Sequence, residues 1–546
     1  MFFECLKLRN HCSDSLLFRC HSINTAISIM SDIAPVKKLI VSSMKFNGLS
    51  IRSDACDYFA AQISPLDEAE REEWLDKVVD YIQKQTLETP FVEKQLIEAA
   101  ILDCCKSETE ENITTFNVIS AFDVPHFVYN IDRKKFLPLP SSKQLELFGS
   151  SDSKCQMFKD RYTLLKQRTL RHELFSVGQQ FQLQPVEYLL SSGSNIHRVI
   201  VLGMLTQLKE NRFYIEDPSG CVPLDLSQAN YHTGFFTESC FVLVEGNYKD
   251  RVLHVQALGF PPPENAEISR IYFGSNNVFG GLDELNVKNS EKLKRLEESN
   301  TDAMIVFISD IWLDQHKVVE KLKVLFAGYD DFPPTAMVLM GNFLSSKQGS
   351  QLASVLKAKM KLLADLLALY PNLLANTKFV IVPGPGDCLT ANILPRPALI
   401  PFFTEDLVKK VPNIEFATNP CRLQYCTQEI VVIREDVITK LCRNCIHFPS
   451  TDDIPEHFAK TVISQAHLVP LPLCVCPVYW DHDTALRLYP LPDLVVVGDQ
   501  IKSFNTSHMN CSVVNPGSFS KGGFGFKVYY PATKTVEDSQ LPEDTL

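Results

Sequence analysis

Apolar residues recur with two different periods along this chain, and the change of period divides it into regions. Near the amino terminus they recur every four residues, as at Trp74, Val78 and Ile82, which predicts one face of a helix. The SPLD sequence at residues 64–67 is typical of a helix start, because serine caps the first turn, proline fits its geometry and the acid reaches back to the cap. We therefore expect a helix across this segment.

A second helix is predicted to start near Pro90, with Val92, Leu96 and Ala100 on its apolar face. The two helices indicate a small all-α domain, which we place at residues 30–135. The pattern fits a plain helical bundle with a solvated acidic face, which we favour, and it also fits a docking module for a partner. Helical periodicity alone does not decide between these functions.

Residues 136–190 combine a polar connector with a basic helix. The helix is predicted from the sequence RYTLLKQR at residues 161–168, which mixes basic and aliphatic residues. Such a helix could contact an acidic partner, but we favour a solvated helical face, since charge runs on helices usually face solvent. We therefore interpret this region as a linker followed by a surface helix.

Short apolar runs separated by Gly, Pro, Asn and Asp predict a small β-barrel at residues 191–270. The runs predicted as strands are residues 199–205, 213–220, 241–246 and 252–259. Their order and turns resemble the OB-fold, in which aromatic side chains often stack on bases over a basic groove. The candidate aromatics Phe213 and Tyr214 lie near Glu216 and Asp217, whose charges would repel phosphates. We favour a structural or protein-binding barrel.

Residues 271–546 alternate apolar strands with helices and are predicted to form an α/β domain. Continuous apolar runs predict buried strands that end just before Asp310, just before Gly341-Asn342 and just before Asp499. Ligands of open α/β sheets bind at the carboxyl ends of the strands. Asp310, Asn342 and Asp499 are therefore candidate site residues.

Composition narrows the class of protein. The 546 residues suffice for two to four domains, and an apolar fraction of 45% with 22% charged residues is ordinary for a soluble protein. The formal net charge of -12 comes without a long basic run, which disfavours a free-standing nucleic-acid binder, because phosphate binding needs clustered Lys and Arg. No stretch approaches the roughly 18 apolar residues that span a bilayer, so we expect no membrane contact.

The 17 cysteines have no regular spacing, which predicts reduced thiols and a cytosolic or nuclear protein. Four of them have spacings within the range for a structural zinc site: Cys421, Cys426, Cys442 and Cys445. The run QEIVVIR at residues 428–434 separates the two pairs and is typical of a core strand, and buried free cysteines are common. We favour free thiols, and we expect no metal and no cofactor.

The first 29 residues form a leader that we expect to be disordered. They contain Arg9 and Arg19 but also Glu4 and Asp14, whereas a mitochondrial presequence would be rich in arginine and poor in acids. Met30 is an alternative start.

The strand-end residues resemble, with losses, the motifs of calcineurin-like phosphoesterases. Gly341-Asn342-Phe343 stands for Gly-Asn-His, and phenylalanine neither ligates a metal nor donates a hydrogen bond. Asp310-Ile311-Trp312 stands for Asp-x-His, no Gly-Asp follows a strand between these two motifs, and Gly498-Asp499-Gln500 stands for Gly-His-x-His. A lone His467 and the sequence NPGS at residues 515–518 remain.

A two-metal hydrolase needs about six or more oxygen and imidazole ligands around its ions. The motifs supply too few, so we expect an inactive calcineurin-like phosphoesterase domain at residues 271–546, with no catalytic residue and no bound metal. The positions that we regard as vestigial are Asp310, Trp312, Asn342, Phe343, His467 and Asp499.

Three longer stretches carry a closer resemblance: VLGMLTQLK at residues 201–209, NPCRLQYCTQE at residues 419–429 and CVCPVYW at residues 474–480. Together with the order of helical module, OB-like barrel and phosphoesterase-like domain, they resemble the B-subunits of eukaryotic replicative DNA polymerases, of the epsilon type. The likeness extends from residue 36 to the end of the chain. In that type the helical module resembles the lid domain of AAA+ ATPases.

The resemblance implies a non-catalytic nuclear subunit. Its barrel and phosphoesterase-like domain would hold the zinc-bearing C-terminal domain of the catalytic subunit of DNA polymerase epsilon. Its N-terminal domain would contact the GINS component of the CMG helicase and so link leading-strand synthesis to unwinding. Histone-fold small subunits would belong to the same complex, and DNA contact would be indirect or weak. Two other functions stay open, a metal-dependent phosphoesterase or nuclease and an OB-fold protein that binds single-stranded nucleic acid.

Overall fold

The computed structural model describes residues 33–64, 68–84, 91–108, 115–139, 145–176, 181–281, 286–346, 351–387, 392–451 and 453–542. The chain divides into two units, residues 1–113 and 114–546. The expected leader, the PLD segment after Ser64 and the predicted helix start at Thr89-Pro90 lie outside the described residues. Within the described stretches, no helix combines the length and the apolar character needed to cross a membrane.

The first unit consists of helices and one short pair of strands. Its elements are α1 (Ile33–Phe46), β1 (Ser50–Ile51), α2 (Ser53–Ile63), α3 (Glu68–Lys84), β2 (Phe91–Val92) and α4 (Lys94–Glu108). All four helices contribute to one core, which contains Ile40, Phe59, Val78 and Ile97. The prediction that Val92 lies on a helix is wrong, because the backbone at Val92 pairs in parallel with β1 and α4 begins only at Lys94.

The second unit begins with strand β3 (Phe116–Ser120), the hairpin of β4 (Phe127–Asn130) and β5 (Lys135–Pro138), and helix α5 (Ser151–Arg171). Strand β3 pairs antiparallel with the distant strand Cys421–Tyr425. The helical domain that the sequence predicted to reach residue 135 therefore ends before residue 116. Local periodicity could not show this, because the partner strand is about 300 residues away in the chain.

Helix α5 is not the solvated surface helix that its basic sequence suggested. Arg161 is 8% exposed and Arg168 is 3% exposed. Arg161 forms a bidentate ion pair with Asp483, and Arg168 donates to the carbonyl oxygens of Ser464 and Pro261. These arginines point inward because the carboxylate and carbonyl groups that satisfy them lie on the rest of the unit.

A closed barrel follows, as the sequence predicted. Its elements are β6 (Leu183–Gln184), α6 (Val186–Ser191), β7 (Ile196–Lys209), β8 (Arg212–Asp217), β9 (Gly220–Asp225), β10 (Asn230–Tyr231), β11 (Phe236–Thr237), β12 (Phe241–Lys249) and β13 (Val252–Gly259). The sheet order is β10-β13-β12-β7-β8-β9, and parallel pairing of β13 with β9 closes it. Apolar side chains fill the interior, with Val201, Ile215, Val242 and Val255 among them.

The remaining residues form a body of two six-stranded sheets. The strands of this region are β14 (Ile305–Ser309), β15 (Ala336–Met340), β16 (Lys378–Val382), β17 (Ile414–Phe416), β18 (Cys421–Tyr425), β19 (Gln428–Arg434), β20 (Cys445–His447), β21 (Leu494–Gly498), β22 (Phe504–His508), β23 (Cys511–Asn515), β24 (Gly525–Tyr530) and β25 (Thr535–Gln540). All of them except β20 belong to the two sheets, and β3 supplies the twelfth sheet strand. The helices are α7 (Ala266–Ile271), α8 (Glu291–Ser299), α9 (His316–Asp330), α10 (Leu352–Leu367), α11 (Pro371–Asn376), α12 (Pro401–Lys410), α13 (Val437–Asn444) and α14 (Ile454–Gln465).

The two sheets pack face to face. The first has the order β17-β16-β15-β14-β24-β25 and the second the order β22-β23-β21-β19-β18-β3. Alternate side chains of both meet in a shared core, as Phe307 and Val338 of the first sheet do with Val432 and Val496 of the second. Helices α9, α10 and α12 cover the outer face of the first sheet, and α13 and α14 cover the second. Every central strand is thus buried on both faces, which explains the continuous apolar runs.

The barrel is joined to this body by direct contacts. Strand β11 pairs antiparallel with β20, and the Gln465 side chain both donates to the carbonyl of Phe241 and accepts from its N–H. His457 accepts the N–H of Gly234 at its Nδ1. These contacts make the barrel and the two-sheet body one folded unit.

Candidate functional site

Polar residues converge where the central parallel strands of the body end. Asp310 follows β14, Gly341-Asn342 follows β15, Asp387 follows β16, and Arg434 and Gly498 end β19 and β21. We call Asp310, Gly341, Asn342, Asp387, Arg434 and Gly498 the strand-end cluster. The parallel register of β14, β15 and β16, and of β19 and β21, brings these ends together.

Asp310 and Asn342, both chosen from the sequence, are in direct contact. The Asn342 backbone N–H donates to Asp310 Oδ1 at 3.1 Å, and its side-chain oxygen accepts the N–H of Gly386 at 2.6 Å. Asp310 has a positive φ of 57°, a conformation in which a non-glycine residue needs support from its surroundings. The asparagine side chain is thus engaged with a backbone amide of the neighbouring loop.

The guanidinium of Arg434 lies at the centre of the strand-end cluster. It donates to Asp310 Oδ1 at 2.6 Å, to the Gly341 carbonyl at 2.7 Å, to the Gly498 carbonyl at 2.9 Å and to Asp436 at 2.9 Å. Its side chain is fully buried. Although burial opposes the charge, the carboxylates of Asp310 and Asp436 raise the pKa of Arg434 above its ordinary value, so the group is a permanent cation.

Sequence reasoning missed two residues of the strand-end cluster, Arg434 and Asp387. Asp387 accepts the backbone N–H of Phe343 at 2.8 Å and that of Gly384 at 2.7 Å. Burial raises the pKa of Asp387 to about 6, although these two N–H donors and Arg434 oppose the shift. A signal existed, since Gly386-Asp387 is a Gly-Asp that follows a strand, but it comes after β16 and not between β14 and β15.

Arg434 was missed for a different reason. The sequence shows it as the last residue of a strand, QEIVVIR, whose other residues fit a core. A cation at the end of a doubly buried strand needs a buried anion, and that requirement was the available signal. Which carboxylate would meet it depends on the packing of one sheet against the other.

Phe343 and Trp312 are the two positions at which the sequence analysis expected the histidines of a phosphoesterase. Phe343 is fully buried in the core against α9 and α10 and acts in the cluster only through its backbone. Trp312 packs against the edge of the same core, and the Lys521 ammonium lies 5.2 Å from its ring centre. Both side chains are part of the packing.

Asp499 is adjacent to the cluster through Gly498 but its carboxylate faces another element. It accepts the backbone N–H groups of Ile438 and Thr439 and the Thr439 hydroxyl, at the first turn of α13. Burial raises the pKa of Asp499, and the N–H donors oppose that shift. The carboxylate therefore serves the start of a helix, where a negative charge is favourable.

His467 lies in a separate cluster with Asp483 and Arg161. Its Nδ1 accepts the N–H of Val469, so Nε2 carries the proton and contacts Asp483 Oδ1 at 3.2 Å. Burial and the charge of Arg161 lower the pKa of His467 to about 4, which keeps the ring neutral. Of the positions chosen from the sequence, the structure thus brings Asp310, Asn342 and the Phe343 backbone together in the strand-end cluster. His467 lies in a different cluster.

The four cysteines with zinc-like spacing occupy opposite faces of the second sheet. Cys421 and Cys426 belong to the core between the sheets, whereas Cys442 and Cys445 pack against the core under α13 and α14. Burial raises the pKa of each thiol. The spacing alone could not show that a sheet lies between the pairs.

The strand-end cluster does not fit the two metal ions of a phosphoesterase. The fully buried Arg434 guanidinium already donates to the Asp310 carboxylate and to two strand-end carbonyls, so a protein cation already occupies this point. Within the described stretches, no three His, Cys, Asp or Glu side chains converge as metal ligands. The chemistry that this cluster can perform is the cross-linking of strand ends by a protein cation.

Fold and site together define a class: a multidomain subunit in which a helical unit, a closed barrel and a two-sheet α/β body follow one another. Sequence models match each part. They are "DNA polymerases epsilon N terminal" at residues 32–104, "DNA polymerase epsilon subunit 2-like, OB-fold domain" at residues 151–262 and the model of the B subunit of DNA polymerases alpha and epsilon at residues 305–506. The class is that of the B subunits of replicative polymerases, and the barrel is an OB-fold, as the sequence predicted.

Curated relatives name the family. The chain is 50% identical to DNA polymerase epsilon subunit 2 of Bos taurus and of Homo sapiens, over 92% of this chain and 98% of each relative. It is 46% identical to that of Drosophila melanogaster, over 94% of this chain and 99% of the relative. The chain belongs to the DNA polymerase epsilon subunit 2 family, which confirms the resemblance drawn from its motifs.

Proposed function

We propose that this chain is a non-catalytic accessory subunit that scaffolds the catalytic subunit of DNA polymerase epsilon in the nucleus. The observation that carries the proposal is the position of the Arg434 guanidinium, which neutralises Asp310 at the point where a hydrolase of this architecture would place its metals. A buried cation at this point leaves the strand ends rigid and without an accessible nucleophile-activating ion. Family membership supports the assignment to an accessory subunit.

The body is an inactive relative of calcineurin-like phosphoesterases. Two packed sheets with polar residues at the carboxyl ends of parallel strands support this interpretation. Asp310, Asn342 and Asp499 are vestigial positions whose side chains now hold the backbone or a guanidinium. Trp312, Phe343 and His467 are vestigial positions taken over by packing or by a structural ion-pair cluster.

The two units would divide the partners between them. The barrel and body form one unit, which suits a rigid seat for the zinc-bearing C-terminal domain of the catalytic subunit. The helical unit has a core of its own, which suits a separate module, comparable to an AAA+ lid, that contacts GINS in the CMG helicase. Histone-fold subunits would join the same complex, and DNA contact would be indirect or weak because the net charge is -12.

Hydrolysis and co-purification test the non-catalytic role. The purified chain should show no manganese-dependent turnover of phosphodiesters, and it should co-purify with the large catalytic chain. An enzyme would show metal-dependent turnover that Asp310→Ala abolishes, and such a result would falsify the proposal.

A deletion tests how the partners are divided. Pull-downs from cells should compare the full chain with a chain that lacks residues 30–110. Loss of the helicase contact together with retention of the catalytic subunit is the expected outcome. Equal loss of both partners would contradict the modular assignment.

A further inference from the structure

Arg434 joins the two sheets of the body at the end where the strand-end cluster lies. Its Nη2 and Nε groups donate to Asp310 Oδ1 and to the Gly341 carbonyl, and these two residues directly follow strands of the first sheet. Its Nη1 group donates to the Gly498 carbonyl in the second sheet, to which Arg434 itself belongs. One guanidinium therefore links the ends of four strands, β14, β15, β19 and β21.

Asp310 depends on this guanidinium. Its side chain is 1% exposed, and within the part of the chain that the structure describes, Arg434 is the cation that lies at ion-pair distance from it. The other carboxylate oxygen, Asp310 Oδ2, and the neighbouring Ser309 hydroxyl are buried and have no hydrogen-bond partner among the described residues. The second buried carboxyl, Asp387, lies close enough for its charge to interact with that of Asp310. Removal of the cation would leave buried negative charge without compensation, which is strongly destabilising.

All three nitrogen atoms of the Arg434 guanidinium have acceptors. Each of Nε, Nη1 and Nη2 meets at least one acceptor of its own, at 2.6–2.9 Å. A guanidinium presents its N–H groups in one plane as a rigid fork, and it is weakly hydrated for a cation. The acceptors therefore match the donors of a guanidinium, whereas a magnesium ion would need about six oxygens at about 2.1 Å.

We propose that the chain has replaced the metal of a phosphoesterase with its own guanidinium, and that the strand-end cluster is a binding site for a guanidinium group that ties the two sheets together. The inference deepens the proposed function and rests on it, because it explains how the body keeps its strand ends in place without divalent ions.

The site can be tested by removing the side chain and adding the group back as a free ion. Arg434→Ala in the full chain should lower the thermal midpoint by on the order of 5 °C, because it leaves Asp310 unpaired. Guanidinium chloride at about 10 mM should restore on the order of 2 °C or more, since binding to the folded state stabilises it. Urea is neutral and has nearly the same shape, so urea at the same concentration should restore nothing.

Two matched variants separate binding from general effects. Asp310→Asn combined with Arg434→Ala should abolish the response to guanidinium, since the anion is gone. Phe343→Ala also opens a buried space beside the cluster, but in an apolar core, and its midpoint should not respond to guanidinium. The wild-type midpoint should be unchanged by EDTA or by magnesium.

Three results would overturn the inference: equal effects of urea and guanidinium, rescue of Arg434→Ala by magnesium in place of guanidinium, or a wild-type midpoint that EDTA lowers. If Arg434→Ala does not fold, Asp310→Asn with Arg434→Met removes anion and cation together and should fold. Failure of that double variant would equally overturn the inference. The phosphodiesterase and co-purification assays judge the proposed function separately, since they use the wild-type chain.

Discussion

Asp387 is the residue of the strand-end cluster whose protonation the fold shifts towards neutral pH. Its pKa is raised to about 6 by burial, whereas an aspartate in the unfolded chain titrates near about 4. Between these values the folded state binds more protons than the unfolded state, so the free energy of unfolding should fall as pH rises through this window. The slope is opposite to that of a salt-bridged carboxylate.

Asp387→Asn should remove that slope. We expect the wild-type chain to lose about 1–3 kcal/mol of stability from this residue between about pH 4 and pH 6, and the variant to lose less. Urea unfolding at a series of pH values measures the free energy of unfolding of the wild-type chain and of the variant, with the exposed Asp54→Asn as control. An unchanged pH profile in Asp387→Asn would assign the slope to other groups.

His467 should act in the opposite direction. Its pKa is lowered to about 4 by burial and by Arg161, whereas an unfolded histidine titrates near about 6.5. The unfolded state therefore binds more protons in this window, and stability should fall as pH drops from about 6.5 to about 4. Histidine proton resonances followed by NMR should show His467 still neutral at pH 5, and titration near its usual value would contradict the assignment.

At the scale of elements, α5 shows that a basic sequence does not establish that a helix faces solvent, because the residues that pair with its charges are distant in the chain. Its basic residues predict a solvated face, but Arg161 and Arg168 turn inward. The carboxylate of Asp483 lies 322 residues further along the chain and still forms a bidentate pair with Arg161. Although burial opposes ionisation, Arg161 and His467 hold the pKa of Asp483 well below its usual range.

Arg161→Ala should therefore be severely destabilising. Removal of one partner of a buried ion pair costs about 3–5 kcal/mol, because the remaining charge is left buried without compensation. Lys154→Ala on the exposed side of the same helix should change stability by less than about 0.5 kcal/mol. Urea denaturation compares the two. The double change of Arg161→Met with Asp483→Leu should recover most of the loss, and equal losses in the single and double variants would refute the ion-pair account.

At the scale of the whole molecule, the chain behaves as two units whose boundary lies near residue 114. Residues 116–138 belong to the second unit, because β3 forms the edge of a body sheet and Phe127 and Phe136 pack in the core with Phe273. The position of the boundary decides which fragments can fold.

A fragment of residues 114–546 should fold on its own, and a fragment of residues 136–546 should not match its stability. The second cut removes β3 and β4, and so exposes the edge of β18 and removes the buried Phe127 ring from its contact with Phe273. Burial of each such aromatic contributes about 1.5–3 kcal/mol. Thermal melting and proteolysis of both fragments measure the difference, and equal stability would place the boundary near residue 135.

The strands of the barrel and of the body were predictable because their information is local. Continuous apolar runs bounded by Gly, Pro and Asp predict β7, β14, β15 and β21 from the sequence, and a strand end in an α/β sheet is where polar ligands belong. Asp310, Asn342 and Asp499 were accordingly chosen from the sequence as strand-end positions. The motif stretches also sufficed to identify the family.

Only the tertiary structure decided what those residues do. Arg434 completes the cluster because β19 of one sheet faces β14 and β15 of the other, and no local pattern encodes which sheets pack together. For the same reason the sequence could not show that Asp499 accepts hydrogen bonds from the start of a helix, or that His467 contacts the aspartate Asp483. Apolar periodicity is set by residues that are close in the sequence. The pairing of buried charges depends on residues that are close in space, because a charge buried away from water needs an opposite charge beside it.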